Sequence, residues 1–311
     1  SPASGTFLKE LSRMSKAISS VRLIIAAILA ILVYGMIAAM LGTILPGLSE
    51  KFGLTPAQNG NIAMAQAIGL IIASLSAGPL VDNKGKKVAL LIGLFLIALA
   101  LFLLPSSAGY GMIMALLLLL GLGGGVIVTA ANALVADIDP TKRSATLNLL
   151  NLFFGLGGML TPFISANLLS GDPIALCYLT AVLTLITLLV HGTTTMPAPS
   201  GERGFKASEV GALLSSPTLW LLAAFLFLYV ACEVGVFNWL ARHLIAQGVP
   251  EKTALNILSL GFALGLLVGR VVVSRILISV APANVTLASA ALISVTTYWM
   301  LNTNDPTMAG V

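Results

Sequence analysis

Charge is scarce in this chain: Asp, Glu, Lys and Arg make up only 9% of its 311 residues. A water-soluble domain carries roughly 25%. The apolar remainder, 58% of the chain with a mean hydropathy of +1.03, is more than a soluble fold of this size can hide. A soluble enzyme or binding module is thereby excluded, and the solvent must be lipid. Cysteine is nearly missing too. Cys177 and Cys232 both fall in apolar runs and read as small core residues, with no disulfide framework to infer. Histidine is equally rare. His191 and His243 stand at the ends of separate runs with no third ligand nearby, so no metal site is expected. No P-loop occurs, which excludes ATP hydrolysis by this chain as a driving reaction. GLGGG at 121–125 lies inside an apolar run with no strand before it and reads as a close helix contact.

Long apolar runs are what the chain does have. About 20 such residues span a bilayer core about 30 Å thick as a helix. Nine runs qualify, at 22–48, 57–81, 87–105, 109–137, 144–171, 173–196, 217–245, 253–278 and 282–302. They lack the alternation of a membrane barrel, and in lipid only helices and closed barrels satisfy their own backbone. The expected fold class is an all-α membrane protein, a helical bundle. The first run is too long for a signal-peptide core and others follow it, so no cleaved leader is expected. The chain opens without Met, has a loop at Asn302–Pro306 and stops at Val311, so the expectation is a piece of a longer protein.

Net charge of +5 raises nucleic acid as a partner, but the distribution of the charge argues for a membrane topology instead. With the N-terminus in the cytoplasm, Lys9, Arg13, Lys16, Arg22, Lys84, Lys86, Lys87, Lys142, Arg143, Arg203, Lys206, Arg270 and Arg275 fall on or near the inner side, against Lys51, Arg242 and Lys252 outside. This is the positive-inside bias, and it makes the plasma (inner) membrane the expected location. Six runs come first. A polar stretch at 197–216, containing PAPSGERGFKASE, then reads as a cytoplasmic linker before the last three runs. The expected organisation is a cytoplasmic segment 1–21, a six-helix bundle 22–196, the linker 197–216 and a partial second bundle 217–311. Two pseudo-symmetric halves are the layout of a transporter. A faint internal echo agrees: SAGPLVDNKGKK closes run two and GLLVGRVVVSRI closes run eight.

The turn after run two, GPLVDNKGKKVAL at 78–90, concentrates polar residues between two apolar stretches. Gly78 lets a helix approach a neighbour. Asp82 is placed to accept from exposed N–H groups at a helix start. Gly85 permits a tight turn. Lys86 and Lys87 hold the turn in the cytoplasm and can pair with acids or lipid phosphates, while Lys84 reads as simply solvated. The stretch resembles the loop signature of the major facilitator superfamily, G-x-L-x-D-r-x-G-r-k-x-x-l between spans two and three, and departs from it at Asn83. The resemblance implies a twelve-helix carrier with about nine helices present. It also implies a gating role for Gly78, Asp82, Gly85, Lys86 and Lys87, with the acid latching the two halves partly against a helix after span ten that is not in this chain. The echo adds Arg270 to that set. On its own, Arg270 reads as snorkelling inward or pairing with a loop acid.

Three further stretches, VTAANALVADIDPTKRSATLNLLNLFFGLGG (128–158), LYVACEVGVFNWLARHL (228–244) and VGRVVVSRILISVAP (268–282), resemble the fucose–proton symporter branch of that superfamily. The branch implies a sugar. Its membrane acids are replaced here by Val128 and by Gly42 ahead of Pro46, so its route for proton coupling is not reproduced. One mid-membrane acid remains, Glu233, where burying a charge costs at least about 2.5 kcal/mol. It is a candidate for solute contact and proton exchange, with structural hydrogen bonding as the alternative. Tyr229 lies one turn earlier on the same face.

Tyr34 and Gln66 fall near the midplane, and Asn132, Asn148 and Asn151 lie nearer the cytoplasm. Asn238 and Trp239 add an amide and an aromatic platform in run seven. Uncharged amides beside an aromatic ring suit a sugar. The rival for each amide is an interhelical hydrogen bond worth under about 2 kcal/mol, and for Trp239 it is a place in the interfacial belt.

The function expected is transmembrane transport of a small polar solute, a sugar first, by alternating access at a midplane site. The partners are the solute, the bilayer and a coupling proton, with no cofactor, no nucleic acid and no covalent step. A drug or amphipathic-solute exporter is the rival. Gly155, Gly157, Gly158 and the displaced Pro162 match an exporter's span-five motif poorly. A non-transporting membrane sensor is the other alternative. The topology predicts that a cysteine at Lys84, with Cys177 and Cys232 replaced by Ser, reacts with an impermeant maleimide only after cells are permeabilised; labelling of intact cells would reverse the orientation.

Overall fold

The computed structural model describes residues 2–138, 143–198, 211, 214–277 and 279–303, with their side chains from residue 20 onward except at 144 and 301. The basic residues Lys9, Arg13, Lys16, Lys142, Arg203 and Lys206, most of the 197–216 linker and the stretch after Thr303 lie outside the described side chains.

Nine long helices follow one another and no strand occurs among the described residues. They are α1 (Pro2–Phe52), α2 (Pro56–Lys84), α3 (Lys86–Leu103, prolonged by a 3-10 turn at Leu104–Ser106), α4 (Tyr110–Ile138), α5 (Arg143–Leu168), α6 (Pro173–Thr193), α7 (Pro217–Ala246), α8 (Glu251–Ile276) and α9 (Pro282–Asn302). Eight of them, α1 to α8, are long and apolar enough to cross a membrane among the described residues. The ninth expected run falls outside those eight. It is nonetheless a continuous helix of 21 residues, about 31 Å at 1.5 Å per residue.

Local chemistry sets the helix ends. Five helices begin on a proline, Pro2, Pro56, Pro173, Pro217 and Pro282, where the missing N–H has no intrahelical partner to lose. Before α2 the TPAQ stretch forms a capping box: Gln58 Oε1 accepts from the Thr55 N–H at 2.9 Å and Thr55 Oγ1 from the Gln58 N–H at 3.3 Å. Before α6, Asp172 Oδ1 accepts from the Ile174 and Ala175 N–H groups at 2.8 and 3.3 Å. Pro46, Pro79 and Pro162 lie inside helices, as membrane helices tolerate. A π-helical stretch, Ile257–Ala263, interrupts α8, a feature frequent at functional sites.

The chain forms two compact units. One comprises Ser1–Tyr34, Met64–Phe154 and Tyr178–Glu202. Its helices touch through glycine. A Cβ on Gly121 would stand 2.0 Å from the Gln66 carbonyl oxygen, one on Gly69 2.2 Å from that of Leu118, and one on Gly123 2.7 Å from that of Gly93. The GLGGG run is therefore the close contact expected of it, serving α2 through Gly121 and Gly125 and α3 through Gly123. Gly78 does not share this role: a Cβ there meets open space. It lies near the end of α2, beyond the last of these contacts.

The other unit comprises Gly35–Ala63, Gly155–Cys177 and Arg203–Val311. Its apolar core gathers Ala166 of α5, Leu240 and Leu244 of α7, and Leu255 and Leu258 of α8. Here α1 meets α7 at Gly42, where a Cβ would lie 1.9 Å from the Phe237 carbonyl oxygen. Even a methyl group is excluded at the position where the resembling branch has an acid. Cys177 is buried as expected, whereas Cys232 is exposed, like every residue of α7 from Trp220 onward to it. Large apolar side chains such as Leu75, Phe227 and Leu287 are also exposed, which suits a hydrocarbon solvent.

The two glycine environments predict opposite outcomes. Gly121→Ala must move backbone and should cost about 1–3 kcal/mol of stability, lowering the thermal midpoint in detergent. Gly78→Ala should leave that midpoint unchanged or slightly raised.

Candidate functional site

In the first unit the polar turn between α2 and α3 is built around Gly85, whose φ of +88° is a left-handed value that favours glycine. The turn directs Lys86 and Lys87 to two different partners. Lys86 is buried and forms an ion pair with Asp137 near the end of α4. Lys87 donates from Nζ to the Gly192 carbonyl at the end of α6, at 2.7 Å, where unpaired carbonyls favour a cation. Lys86 thus pairs with an acid, as expected, whereas Lys87 meets a backbone carbonyl rather than an acid or a lipid phosphate. Asp82 differs from its reading. Gly85 caps α3 without any side-chain bond, and the Asp82 carboxylate is exposed with no hydrogen bond or ion pair among the described residues. Asp82 still lies in the last turn of α2, short of the N–H groups that open α3.

The same unit holds five of the proposed solute contacts. Tyr34 of α1 packs on Phe154 of α5 with ring centroids 5.2 Å apart, so the midplane tyrosine has an aromatic neighbour rather than a polar one. Gln66 is half-buried, and its backbone lies against Gly121. Asn132 of α4 is half-buried, while Asn148 and Asn151 of α5 are exposed. Among the described residues Asn132 and Asn148 make no side-chain hydrogen bond.

The second unit corrects the picture of a lone membrane acid. Glu233 of α7 accepts from Arg270 Nη2 of α8 at 3.4 Å. Arg270 was expected to snorkel or to meet a loop acid; it pairs instead with an acid inside a span. Two opposite charges on neighbouring apolar helices each lower the cost of the other. That rule, applied to the only such acid and to the cation of the next span, is the signal that would have found the pair. Tyr229 interacts with both members. Gly155 of α5 flanks the guanidinium: a Cβ there would lie 3.6 Å from Nη1 and 3.0 Å from Leu267 Cδ1. Asn238 and Trp239 are half-buried further along α7, beside the Gly42 contact in the case of Asn238.

A polar clamp in this unit escaped the sequence reading. Arg242 of α7 donates to Ser49 Oγ of α1 at 3.0 Å. Asn59 of α2 is fully buried, and with its amide turned to face Arg242 its oxygen accepts from Nη2 at 3.0 Å and its nitrogen donates to Ser49 at 2.9 Å. Asn167 of α5 and Asn256 of α8 pair their amides at 2.7 Å. Single polar residues near helix ends carry no sequence pattern, so only packing reveals such partners. Among the described residues no group of three or more His, Cys, Asp or Glu could hold a metal.

Apolar helices long enough to span a bilayer, joined by a cationic turn and with polar and charged residues set inside them, define a multi-pass helical membrane protein. The chain belongs to the Major Facilitator Superfamily, whose pattern matches residues 27–311. It is 31% identical over 150 residues to the 4-hydroxybenzoate transporter PcaK of Pseudomonas aeruginosa, covering 48% of this chain and 33% of the relative. It is 29% identical over 102 residues to the quinolone resistance protein NorA of Staphylococcus aureus, covering 33% of this chain and 26% of the relative. The fold is similar to that of the fucose–proton symporter of E. coli, with a TM-score of 0.64 at 21% identity, over 91% of this chain and 77% of that one. The matches thus span about a third or less of these curated relatives' own lengths.

Lys86 is 9% exposed and would be left without its counter-charge by Asp137→Asn. Because Asp137 itself is half-exposed, the expected loss is about 1–3 kcal/mol in a chemical or thermal unfolding series. The reversed pair, Lys86→Asp with Asp137→Lys, should regain most of it.

Proposed function

We propose that this chain forms the binding and gating machinery of a secondary carrier that moves a small polar organic solute by alternating access. The observation that carries the reading is the Arg270–Glu233 pair inside apolar spans. Charges kept in hydrocarbon against their cost mark solute or ion pathways. The solute expected first is a sugar. It is supported by the uncharged groups of Asn132, Asn148, Asn151 and Asn238 with Trp239 and Tyr229, and by the likeness of 128–158, 228–244 and 268–282 to the fucose–proton symporter branch. An organic acid is the second reading, favoured by the intramembrane cation Arg270 and by the 4-hydroxybenzoate carried by a relative. Dye export has less support, since the match to the quinolone exporter is confined to a third of the chain.

The orientation proposed is N-terminus inside, in the plasma membrane. Gly78, Asp82, Gly85, Lys86 and Lys87 are proposed as the gating turn of the first bundle, within the organisation 22–196, 197–216 and 217–311. A coupling proton is assigned to Glu233, whose carboxylate must part from Arg270 to be protonated.

Counterflow in liposomes tests the reading, using the full-length protein, labelled hexoses, 4-hydroxybenzoate and a dye, with and without a pH gradient. Saturable exchange of a hexose or of the acid is expected, and dye movement is not. Glu233→Gln should abolish the response to the gradient. A folded protein that exchanges none of these solutes would favour the sensor reading instead.

A further inference from the structure

We propose that Arg242, Ser49 and Asn59, together with the Asn167–Asn256 pair, form a latch that shuts one end of the carrier and parts in each transport cycle. The inference rests on the carrier reading and names the residues that gate this end.

The second compact unit does not follow the two halves read from the sequence. It takes Gly35–Ala63 and Gly155–Cys177 from the first six helices and joins them to Arg203–Val311. A seam between the two halves therefore runs through this unit, and side chains near helix ends fasten it. Arg242, four residues before the end of α7, donates from Nη1 to Ser49 Oγ, three residues before the end of α1, at 3.0 Å. Its Nη2 meets the turned amide of Asn59, in the first turn of α2, at 3.0 Å. One guanidinium thus ties α7 to two helices of the other half, a use that its planar fork of donors allows. Asn167, next to last in α5, pairs with Asn256 of α8 at 2.7 Å. Between these links lies an apolar layer in which Ala166 of α5 is buried with Leu240, Ala241 and Leu244 of α7 and Leu255 of α8.

The place of these bonds decides what parting them costs. In the middle of a bilayer, two separated polar groups would each bear their full desolvation. Within about a turn of a helix end, water takes the place of the lost partner. The partners of Arg242 are a hydroxyl and an amide, so opening takes no counter-charge from it. Deeper in the seam Gly42 meets Phe237 through bare backbone, a contact that strands no polar side chain when it opens. The seam is therefore held by bonds that water can replace, as a gate requires and a permanent joint does not.

Ala166 is 3% exposed and lies in the seam, so a cysteine there reports its parting. The full-length protein, with its native cysteines replaced by serine, carries Ala166→Cys in lipid nanodiscs and is treated with a water-soluble maleimide. Arg242→Gln should raise the labelling rate about fivefold or more, because the shut state loses part of its advantage. Ala130→Cys, fully buried in the first unit, should stay protected in the same variant. In proteoliposomes, Asn167→Cys with Asn256→Cys is bridged by a short bis-methanethiosulfonate. The bridge should slow counterflow of labelled hexoses or 4-hydroxybenzoate about tenfold or more, and reductant should restore it.

Unchanged labelling of Ala166→Cys by Arg242→Gln overturns the latch. So does equal acceleration at Ala130→Cys, which marks general loosening of the fold. Full counterflow through the bridged protein overturns the latch and leaves the carrier reading intact. Faster labelling confined to Ala166→Cys, in a protein that exchanges no solute, supports a parting seam and removes the carrier reading.

Discussion

Hydrocarbon offers no hydrogen bonds, and almost every polar feature of this protein answers that constraint. Backbone groups inside the spans are satisfied within helices. Side-chain hydroxyls turn back on their own helix, as Thr43 does to the Ala39 carbonyl at 2.8 Å and Thr184 to that of Thr180 at 2.7 Å. At the helix starts, Thr55, Gln58 and Asp172 supply the acceptors that the first turn lacks. Cations within a span or buried at its edge have partners: Lys86 has Asp137, Arg270 has Glu233, and Arg242 has the Ser49 hydroxyl. The polar residues that remain without such a local account are the ones with a claim on function.

The same solvent changes what holds helices together. Lipid tails are as apolar as leucine, so burying leucine between helices gains little, and close backbone contact takes over. Gly69, Gly121, Gly123 and Gly125 let backbones in the first unit approach until a single Cβ would collide. Gly42 does the same in the second unit against Phe237. This gives a physical reason for one departure from the fucose–proton symporter branch. Residue 42 is committed to helix contact, and no acid fits there. Proton chemistry, if this chain performs it, has to be carried elsewhere, and Glu233 is the acid left within the spans.

As a neutralised pair, Glu233 and Arg270 make two charges tolerable in lipid. The π-helical stretch of α8 contains the α5 contact at Ser259, which donates to the Met159 carbonyl at 2.8 Å, and precedes the segment bearing Arg270. The helix that presents the cation is thus pinned at an irregular turn seven residues and more before it, in the same unit as its partner. Removing either side chain alone takes from the other its opposite charge inside the spans.

Periodicity and hydropathy were enough to locate the helices, since a run of some 20 apolar residues has no other stable form in a bilayer. The Gly85 turn and the packing role of GLGGG were equally legible, because each depends on local stereochemistry or on residue size. Other features depend on which residue of one helix faces which residue of another, and spacing along the chain does not encode that. The sequence alone placed Gly78 in a close contact that Gly69 and Gly121 make instead, put Asp82 at a cap it does not form, and had Arg270 snorkel inward or meet a loop acid rather than Glu233. Ser49, Asn59 and Arg242 carry no motif at all, and their clamp exists only because three helices bring them together. The sequence by itself determined the solvent, the helices and the family, which follow from residue chemistry summed along the chain. Only the tertiary structure decided the charge partners and the helix contacts, which follow from distances between residues far apart in that chain.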